Sequence, residues 1–585
     1  MFRNSSRPTR ELAKTPLFQL HFEHLPLEKR LEISFKRAQE IGRAYKLTAE
    51  DVLHASPQFW WLHTDPMWGM DGAAATLITL QYNCCAGILA AHAADSHPSV
   101  RATLDKVLNF DIFGVFCLTE IAHGLDAINM ETTATLDRYG WVLNTPHEGA
   151  AKYMPSTSPV TGLPCSAVVF ARAIVDGEDR GVKPFLIDLH DGRNMSKGVV
   201  SRLLPQKGGS RALNHSLTYF RHVRLPSHAL LGPIEMPGNK RLAFMMNIYR
   251  VAVGTIAVSA VADPTLQISA YVAARYSQRR KVYDHAAPGK QVSIIEFRTQ
   301  KTPIVTALAQ AYVMRALLDY SIKIFCDEEE DLRVRHAVAT IAKVILVSHA
   351  QEASLALSDR LGAQGLFEVN QLNAMFNDLR GVAIGEGDTL VLSIRLASEL
   401  LLDRYAVPET DNAKSILARH ELGIRDELRA ALCTMANHRG IDFDREVLPR
   451  SLEFVSAIGQ RMAYDAAVDA GVDQCLIDLF VAACLKKDPA FYVEKAGISR
   501  GRQRKLEADA VDAVYDRLED FLEPMDLEPY ITAPIISEQK WNEYVSGIRT
   551  FGDMPAWDVP KTTMSTRPYI DQSPYMQLTA AAAKL

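Results

Sequence analysis

The chain has 585 residues, of which 48% are hydrophobic and 23% are charged, as expected for a folded chain of several domains. Lysines and arginines number 64 against 69 acidic residues, and the net charge of −5 does not favour a broad nucleic-acid-binding face. The longest apolar runs, such as residues 337–348, are shorter than the roughly 20 residues of a membrane span, so we predict no span.

The first half of the chain changes from a helical to a β-rich pattern. Residues 27–94 have leucine, isoleucine and alanine at three- and four-residue spacing, which predicts helices. From about residue 110 to 237, short β-rich runs are separated by glycine, proline, aspartate and asparagine, a pattern typical of an antiparallel sheet. These runs include residues 140–143, 166–170, 184–187 and 216–220.

The second half is predicted to be helical. Long helical patterns cover residues 242–277 and 291–327, and further helices are expected from 411 to about 552. Because helices and strands are segregated, the pattern predicts an α+β protein rather than a doubly wound one. We expect an N-terminal helical domain with an extension, a β domain, a helical bundle, a second C-terminal helical domain and an exposed tail, over residues 1–109, 110–237, 238–405, 406–555 and 556–585.

Familiar nucleotide and metal motifs are absent from the sequence. No G-x-G-x-x-G follows a predicted strand, and no P-loop G-x-x-x-x-G-K-[ST] run occurs. The eight cysteines include no C-x-x-C pair, and no histidine cluster has metal-ligand spacing. We therefore predict reduced thiols and no metal site.

One candidate segment, F-C-L-T-E-I-A-H-G-L-D, begins at Phe116 in the predicted sheet domain. It ends an apolar run with a hydroxyl, a carboxylate and a glycine turn. Thr119 and nearby backbone N–H groups could therefore face a polar ring edge. The residues alone favour an ordinary strand-to-turn transition.

A second candidate is Glu386, which has a glycine on each side in I-G-E-G-D-T-L. The glycines allow close approach of a ligand and leave the carboxylate uncrowded. Beside an apolar pocket, such a carboxylate has a raised pKa and serves as a base. On residue type alone, the alternative is a loop glutamate that caps the next helix.

Taken together, these segments resemble the acyl-CoA oxidase and acyl-CoA dehydrogenase flavoproteins, most closely the peroxisomal oxidases. The resemblance is strongest from about residue 110 to 404. Its motifs are L-T-E-x-x-x-G at 118–124, E-T-T-A-T at 131–135, V-L-N-T-P at 142–146, Y-S-x-x-R at 276–280, G-A-Q-G at 362–365 and E-G-D at 386–388. The fold implied is a helical domain, a β domain and one or two helical bundles, with FAD between the β domain and the first bundle.

The resemblance also implies a role for each matching residue. Glu386 would remove the α-proton of an acyl-CoA thioester while the β-hydrogen leaves as hydride to FAD, and O2 would reoxidise the flavin to give H2O2. The thioester oxygen would accept from the backbone N–H of Glu386. The residues implied to bind FAD are Thr119, Gly124, Ser156, Arg280, Gly362, Gly365 and Asp388. Those implied to bind the substrate are Arg250, Gly385 and Gly387.

Arg280 is implied to reach the FAD pyrophosphate of a neighbouring subunit, so a homodimer is expected. Two departures from the family pattern concern the space near the flavin and the acyl group. Gly385 replaces a bulky aromatic residue, and Ser156 replaces a glycine in the run K-Y-M-P-S. We expect a bulky, branched or unsaturated acyl group.

Two other functions stay open. The chain could be a dehydrogenase or desaturase of a specialised pathway that passes electrons to another acceptor. It could instead be a non-catalytic scaffold of the same fold, although Glu386, Thr119 and Arg280 together argue against that.

The last three residues, Ala583-Lys584-Leu585, are a variant of the Ser-Lys-Leu peroxisomal address. They follow a stretch rich in proline, threonine, serine and alanine, as expected of an exposed tail. We therefore predict recognition by the peroxisomal import receptor.

Overall fold

A computed structural model describes residues 2, 4–94, 96–235, 238–284, 287 and 289–552. The predicted tail and its C-terminal tripeptide lie outside these residues. Within them, a hydrophobic core extends from Ala13 in the N-terminal region to Ile535 near the end of the described chain. All regions contribute side chains to that core, so the helical and β regions pack on one another.

The N-terminal region is helical, as predicted. Its longest helix presents Leu31, Phe35, Ala38 and Tyr45 on one buried face, at the spacing of successive helical turns. Its helices are α1 (Arg10–Ala13), α2 (Pro16–Gln19), α3 (Leu27–Tyr45), α4 (Ala49–Leu53), α5 (Pro57–His63), α6 (Met67–Met70), α7 (Gly72–Ile78), a π-helix (Thr79–Ala86), α8 (Gly87–His92) and α9 (Pro98–Leu108).

The β region contains two sheets, and each of the four predicted β-rich runs falls within a strand. The larger sheet has the order β1-β5-β2-β3-β9 with β6 paired to β5, and the smaller has the order β4-β8-β7. The strands are β1 (Phe113–Cys117), β2 (Thr133–Asp137), β3 (Gly140–Asn144), β4 (Lys152–Ser156), β5 (Cys165–Val175), β6 (Glu178–His190), β7 (Val199–Leu203), β8 (His215–Phe220) and β9 (Val223–Leu225).

The larger sheet is mixed rather than purely antiparallel. Strand β5 pairs in parallel with both β1 and β2, whereas its pairing with β6 is antiparallel. The expectation of an antiparallel sheet is therefore only partly right. Strand direction depends on connections between distant segments, which the composition of a single strand does not reveal.

The helical bundle that follows is more broken than predicted. Its elements are α10 (Lys240–Asn247), α11 (Tyr249–Ser259), α12 (Ala262–Arg279), β10 (Lys281–Tyr283), β11 (Gln291–Ser293), α13 (Arg298–Cys326), α14 (Leu332–Arg360), α15 (Leu372–Ile384) and α16 (Thr389–Leu401). The single helix expected over 242–277 is three helices, with Pro264 in the first turn of the third, where a proline is tolerated. Residues 291–293 are a strand because they pair with β10.

The C-terminal region is also helical and packs against the bundle through α13, α14 and α16. Its helices are α17 (Ile416–Cys433), α18 (Ile441–Glu446), α19 (Ser451–Asp469), α20 (Gln474–Leu485), α21 (Pro489–Glu494), α22 (Arg500–Tyr515), α23 (Leu518–Leu522) and α24 (Glu538–Gly547). The predicted α+β class is confirmed.

Two segments, Gly72–His92 and Tyr249–Arg279, are long and apolar enough to cross a membrane. The expectation that every apolar run is too short is therefore wrong. Within these segments, 89% and 83% of the most apolar 18 residues are buried inside the structure. This degree of burial is typical of core helices, whose apolar side chains face neighbouring elements.

Candidate active site

Glu386 lies in the four-residue turn between α15 and α16. It is a non-glycine residue with a φ of 55°, and Gly387 follows with a φ of 100°. The next residue, Asp388, caps α16, because its carboxylate accepts from the backbone N–H groups of Leu390 and Val391 at 3.0 and 3.1 Å. The alternative in which Glu386 caps the helix is therefore wrong, and the Glu386 carboxylate is free to point elsewhere.

The Glu386 carboxylate points into the helical bundle. Its Oε1 accepts a hydrogen bond from the Cys84 thiol at 3.4 Å. A Cβ added at Gly254 would lie 2.8 Å from Glu386 Cδ and 2.9 Å from Asn83 Nδ2. Glycine at position 254 therefore makes room for the carboxylate beside the π-helix.

Side chains from neighbouring helices hold the three consecutive backbone carbonyls of the turn. The Lys343 ammonium donates to the carbonyls of Gly385 and Gly387, the latter at 2.6 Å. Between them, the Glu386 carbonyl accepts from the Thr255 hydroxyl at 3.1 Å. These bonds tie the turn to α14 and α11 and satisfy its carbonyls where the turn meets the bundle.

Charge and burial act in opposite directions on the Glu386 carboxylate. Burial raises its pKa above the ordinary glutamate value, against the Cys84 hydrogen bond and the positive charges of Lys343 and Arg250. Burial also lowers the pKa of Lys343 to about 8, against the negative charges of Glu386 and Asp388. A carboxylate with a raised pKa inside an apolar bundle is suited to accept a proton.

Arg250 is buried at the start of α11, close to the same group of residues. Its Nε donates to the Asn83 carbonyl at 3.0 Å, and the Asn83 amide donates back to the Arg250 carbonyl at 3.0 Å. Its Nη2 has no hydrogen-bond partner among the described residues. Burial lowers the pKa of Arg250 to about 10. Arg250 thus lies near enough to Glu386 for its charge to lower the pKa of that carboxyl.

The predicted flavin-edge residues lie in the β region. The Thr119 carbonyl accepts from the backbone N–H of Tyr153 at 2.9 Å, which joins the segment after β1 to β4. The next residue, Glu120, forms a fully buried ion pair with Lys152 at 3.0 Å. Ser156, at the end of β4, is buried, and its hydroxyl has no hydrogen-bond partner among the described residues.

A cleft of about 240 Å³ lies beside this part of β4. Its lining comes from β4, from the loop between β7 and β8, from the first residue of β8 and from the start of α3. These residues are Leu27, Tyr153, Met154, Leu204, Pro205, Gln206, Lys207, Ala212, Leu213 and His215. The same loop contacts the bundle, since Arg211 forms an ion pair with Asp378 of α15 at 3.0 Å. The loop therefore connects the cleft to the helix that precedes Glu386.

Four other predicted residues lie on segments other than the turn that carries Glu386. Gly124 and Arg280 are exposed, the latter where α12 ends. Gly362 and Gly365 lie just after α14, where a Cβ at Gly365 would come within 2.0 Å of the Ser358 carbonyl oxygen. Position 365 therefore requires glycine because any side chain there would clash with the backbone of Ser358.

Sequence reasoning missed the residues that hold the two predicted sites. On the helical side they are Asn83, Cys84, Gly254, Thr255 and Lys343, and on the β side they are Glu120 and Lys152. Lys343 did carry a signal, because it is the only charged residue in the apolar run 337–348. A lysine in such a run requires a buried partner.

The segment that carries Glu386 matches a known family. Residues 246–401 match the family model of the acyl-CoA oxidase C-alpha1 domain. Acyl-coenzyme A oxidase 2, peroxisomal, of Arabidopsis thaliana is 28% identical over 326 residues, 51% of this chain and 46% of the relative. Peroxisomal acyl-coenzyme A oxidase 3 of Homo sapiens is 24% identical over 409 residues, 64% and 57% of the two chains. The chain thus spans about half the length of the curated relatives it matches.

Solved structures extend the likeness to almost the whole chain. Acyl-CoA oxidase 1 from Yarrowia lipolytica has a TM-score of 0.77 at 16% identity, covering 99% of this chain and 92% of that one. Acyl-CoA oxidase-2 of Caenorhabditis elegans, solved with FAD, ascaroside-CoA and ATP, has a TM-score of 0.69 at 15% identity, with 98% of both chains covered. The resemblance found in the sequence is confirmed: residues 246–401 match the acyl-CoA oxidase C-alpha1 domain, and the described chain has the fold of the solved acyl-CoA oxidases.

Proposed function

We propose that this chain is an FAD-dependent acyl-CoA oxidase that converts an acyl-CoA to the trans-2-enoyl-CoA and reduces O2 to H2O2. The observation that carries the proposal is the Glu386 carboxylate, which lies inside the bundle with a raised pKa, within the segment that matches the C-alpha1 family. The named relatives, which are acyl-CoA oxidases, support the same reaction class.

The residues on the β side fit a flavin. The buried Ser156 hydroxyl without a partner, next to the cleft lined by Tyr153 and Met154, offers a hydrogen bond that the chain itself leaves unused. Thr119, Ser156 and Asp388 would hold the cofactor, together with the glycines at 124, 362 and 365. When bound, FAD supplies the acceptor for the hydride equivalent that leaves the acyl β-carbon.

The roles proposed for the chain's own residues centre on the turn that carries Glu386. Glu386 takes the α-proton on its carboxylate, because burial makes the carboxylate a stronger base than an exposed glutamate. The backbone N–H of Glu386 would donate to the thioester oxygen, where negative charge develops as the proton leaves. Arg250, Gly385 and Gly387 would border the acyl group.

The substrate proposed is an acyl-CoA with a bulky, branched or unsaturated acyl group. Gly385 supports this, because it is exposed and a Cβ there would approach only the Gly381 carbonyl oxygen, at 3.4 Å. Apart from the chain neighbours of Gly385, no side chain of the described residues lies within 4 Å of that Cβ position. A panel of acyl-CoAs tests the point, and a preference for unbranched long-chain substrates would contradict it.

The deciding experiment is anaerobic mixing of the purified protein with a panel of acyl-CoAs, followed by admission of air. Loss of the visible flavin absorption and its fast return with H2O2 is the expected result. Slow return with O2 would instead indicate a dehydrogenase or desaturase that uses another electron acceptor. A protein that takes up no FAD would indicate a non-catalytic scaffold.

We also propose a peroxisomal location and a homodimer. The peroxisomal relatives support the location, and the exposed position of Arg280 is compatible with an FAD shared between subunits. Removal of Lys584 and Leu585 is expected to leave the protein in the cytosol of cells. Peroxisomal import of the truncated chain would contradict the address, and a monomeric mass in solution would contradict the dimer.

A further inference from the structure

A fully buried lysine lies beneath the turn that carries Glu386. Lys343 is in the middle of α14 and has 0% of its surface exposed. Its ammonium donates to the carbonyls of Gly385 and Gly387, the residues on either side of Glu386. We propose that Lys343 is a positioning residue that holds this turn and so sets the direction and charge of the Glu386 carboxylate. The proposal rests on the proposed function, in which Glu386 is the base.

The conformation of the turn explains why it needs such a hold. Glu386 has a φ of 55°, a conformation that residues other than glycine adopt at an energetic cost. The residue before the turn, Ile384, is 67% exposed, and Gly385 is exposed as well. Contacts from the solvent side therefore do little to hold the turn. Bonds from beneath, at three consecutive carbonyls, keep the strained residue in place.

The charge of Lys343 also acts on the base. The groups that face the Glu386 carboxylate are the Cys84 thiol from the π-helix, Arg250 from α11 and Lys343 from α14. Asp388 faces Lys343 from the turn itself. The Lys343 charge lowers the pKa of Glu386, against burial, and so keeps more of the carboxylate ionised at neutral pH. Loss of that charge leaves a larger fraction of the base protonated.

Lys343 reaches the base only through the backbone of the turn and through its electric field. Lys343 therefore affects turnover by setting the direction in which the Glu386 carboxylate points and the fraction of it that is ionised. A displacement of about 1 Å at a reacting group is enough to lower a rate roughly 10²-fold. The pKa of Lys343 is lowered by burial to about 8, so the lysine loses its charge in mildly alkaline solution.

Two substitutions separate the hydrogen bonds from the charge. Lys343→Met removes both, whereas Lys343→Gln keeps an N–H donor without a charge. The matched control is Lys183→Met, because Lys183 is a buried lysine of the β region that donates to the Glu235 carbonyl at 2.9 Å. All three are measured as FAD-loaded protein, by the rate of anaerobic flavin reduction with an acyl-CoA as a function of pH.

We expect flavin reduction to slow roughly 10²-fold in Lys343→Met, less in Lys343→Gln, and little in Lys183→Met. In both Lys343 variants the acid limb of the pH profile moves to higher pH, since the charge that lowers the Glu386 pKa is gone. The alkaline limb of the parent protein, expected near pH 8 from the Lys343 pKa, is lost in both. Parent-like rates and an unchanged pH profile would overturn the proposal.

A measurement without substrate keeps this proposal separate from the proposed function. In protein labelled with 13C at the glutamate carboxyl, the resonance lost in Glu386→Gln belongs to the base. Its titration midpoint is expected to rise in the Lys343 variants and to stay unchanged in Lys183→Met. An unchanged midpoint in Lys343→Gln overturns the electrostatic role even if Lys343→Met does not fold. If no acyl-CoA reduces the flavin, the proposed function fails while this titration still decides the role of Lys343.

Discussion

The β region and the helical bundle each hold a glutamate carboxylate in the interior, and the two differ in the hydrogen bonds that they accept. Glu120 accepts from the Lys152 ammonium at 3.0 Å and from the backbone N–H groups of Glu131 and Thr132 at 2.7 and 2.9 Å. Glu386 accepts one hydrogen bond from a thiol, at 3.4 Å, and Lys343 binds the carbonyls around it rather than its carboxylate.

The pKa of each carboxyl reflects this difference. Burial raises the pKa of both, but at Glu120 the Lys152 charge and the backbone donors outweigh burial and lower the pKa below the ordinary value. At Glu386 the opposing interactions are weaker, and the pKa is raised. A fully bonded carboxylate stabilises a fold, whereas an incompletely bonded one is able to take up a proton. Two lysines produce this contrast, because one binds the carboxylate and the other binds the turn.

The largest expected effect comes from removal of the proposed base. Glu386→Gln is expected to retain bound FAD and to slow flavin reduction roughly 10²–10⁴-fold, as for loss of a positioned general base. Stopped-flow absorption under anaerobic conditions measures the rate. The control is Glu409→Gln, since Glu409 is exposed and lies beyond the turn. Flavin reduction at near the parent rate in Glu386→Gln would remove this residue from the mechanism.

Breaking the ion pair of the β region should act on stability instead. Lys152→Met leaves the Glu120 charge buried without its partner, which costs about 3–5 kcal/mol of unfolding free energy. Urea denaturation measures the loss. Because the two residues form one unit, the double variant Glu120→Gln/Lys152→Met should lose less stability than the sum of the single variants. Additive losses would show that the pair does not act as a unit.

The smallest effect, and the sharpest test of the comparison, is the pH dependence of stability. The lowered pKa of Glu120 gives a stabilising contribution that is present above pH 4.5, the ordinary glutamate value, and is lost as the pH falls. The raised pKa of Glu386 also gives a stabilising contribution, but this one is present below pH 4.5. It is lost as the pH rises through the pKa of Glu386 in the folded state. Relative to the parent, Glu386→Gln should therefore gain stability from acidic to neutral pH, and Glu120→Gln should lose it.

Thermal unfolding midpoints measured across this pH range provide the readout. If Glu386→Gln is less stable than the parent at neutral pH, then the ionised Glu386 carboxylate does not destabilise the folded protein, and the comparison fails. Glu120→Gln serves as the opposite control within the same molecule, since both variants make the same chemical change at a glutamate whose carboxylate points inward.

Patterns local to the chain predicted much of the fold. Alternation and turn residues placed strands at β3, β5, β6 and β8, and helical spacing placed the helices on either side. The breaks inside the helix expected over 242–277 and the strand at 291–293 were not predicted. Both depend on neighbours distant in the chain: β11 exists because β10 pairs with it.

The candidate site divides in the same way. The motif E-G-D pointed to Glu386, and the order of motifs along the chain pointed to the family, because both are properties of short runs of sequence. Cys84, which donates to Glu386, precedes it by 302 residues, and no short pattern connects the two. The helix cap at Asp388 likewise became clear only from its hydrogen bonds.

The sequence by itself determined the α+β class, the position of the candidate base and the family resemblance, since periodicity and motifs depend on residues that are close together in the chain. Only the tertiary structure decided which glutamate is neutralised and which is left able to take a proton. The physical reason is that pKa depends on burial and on charges within a few ångströms. Lys152 and Lys343 are both buried lysines. Packing alone directs Lys152 to the Glu120 carboxylate and Lys343 to the backbone carbonyls next to Glu386.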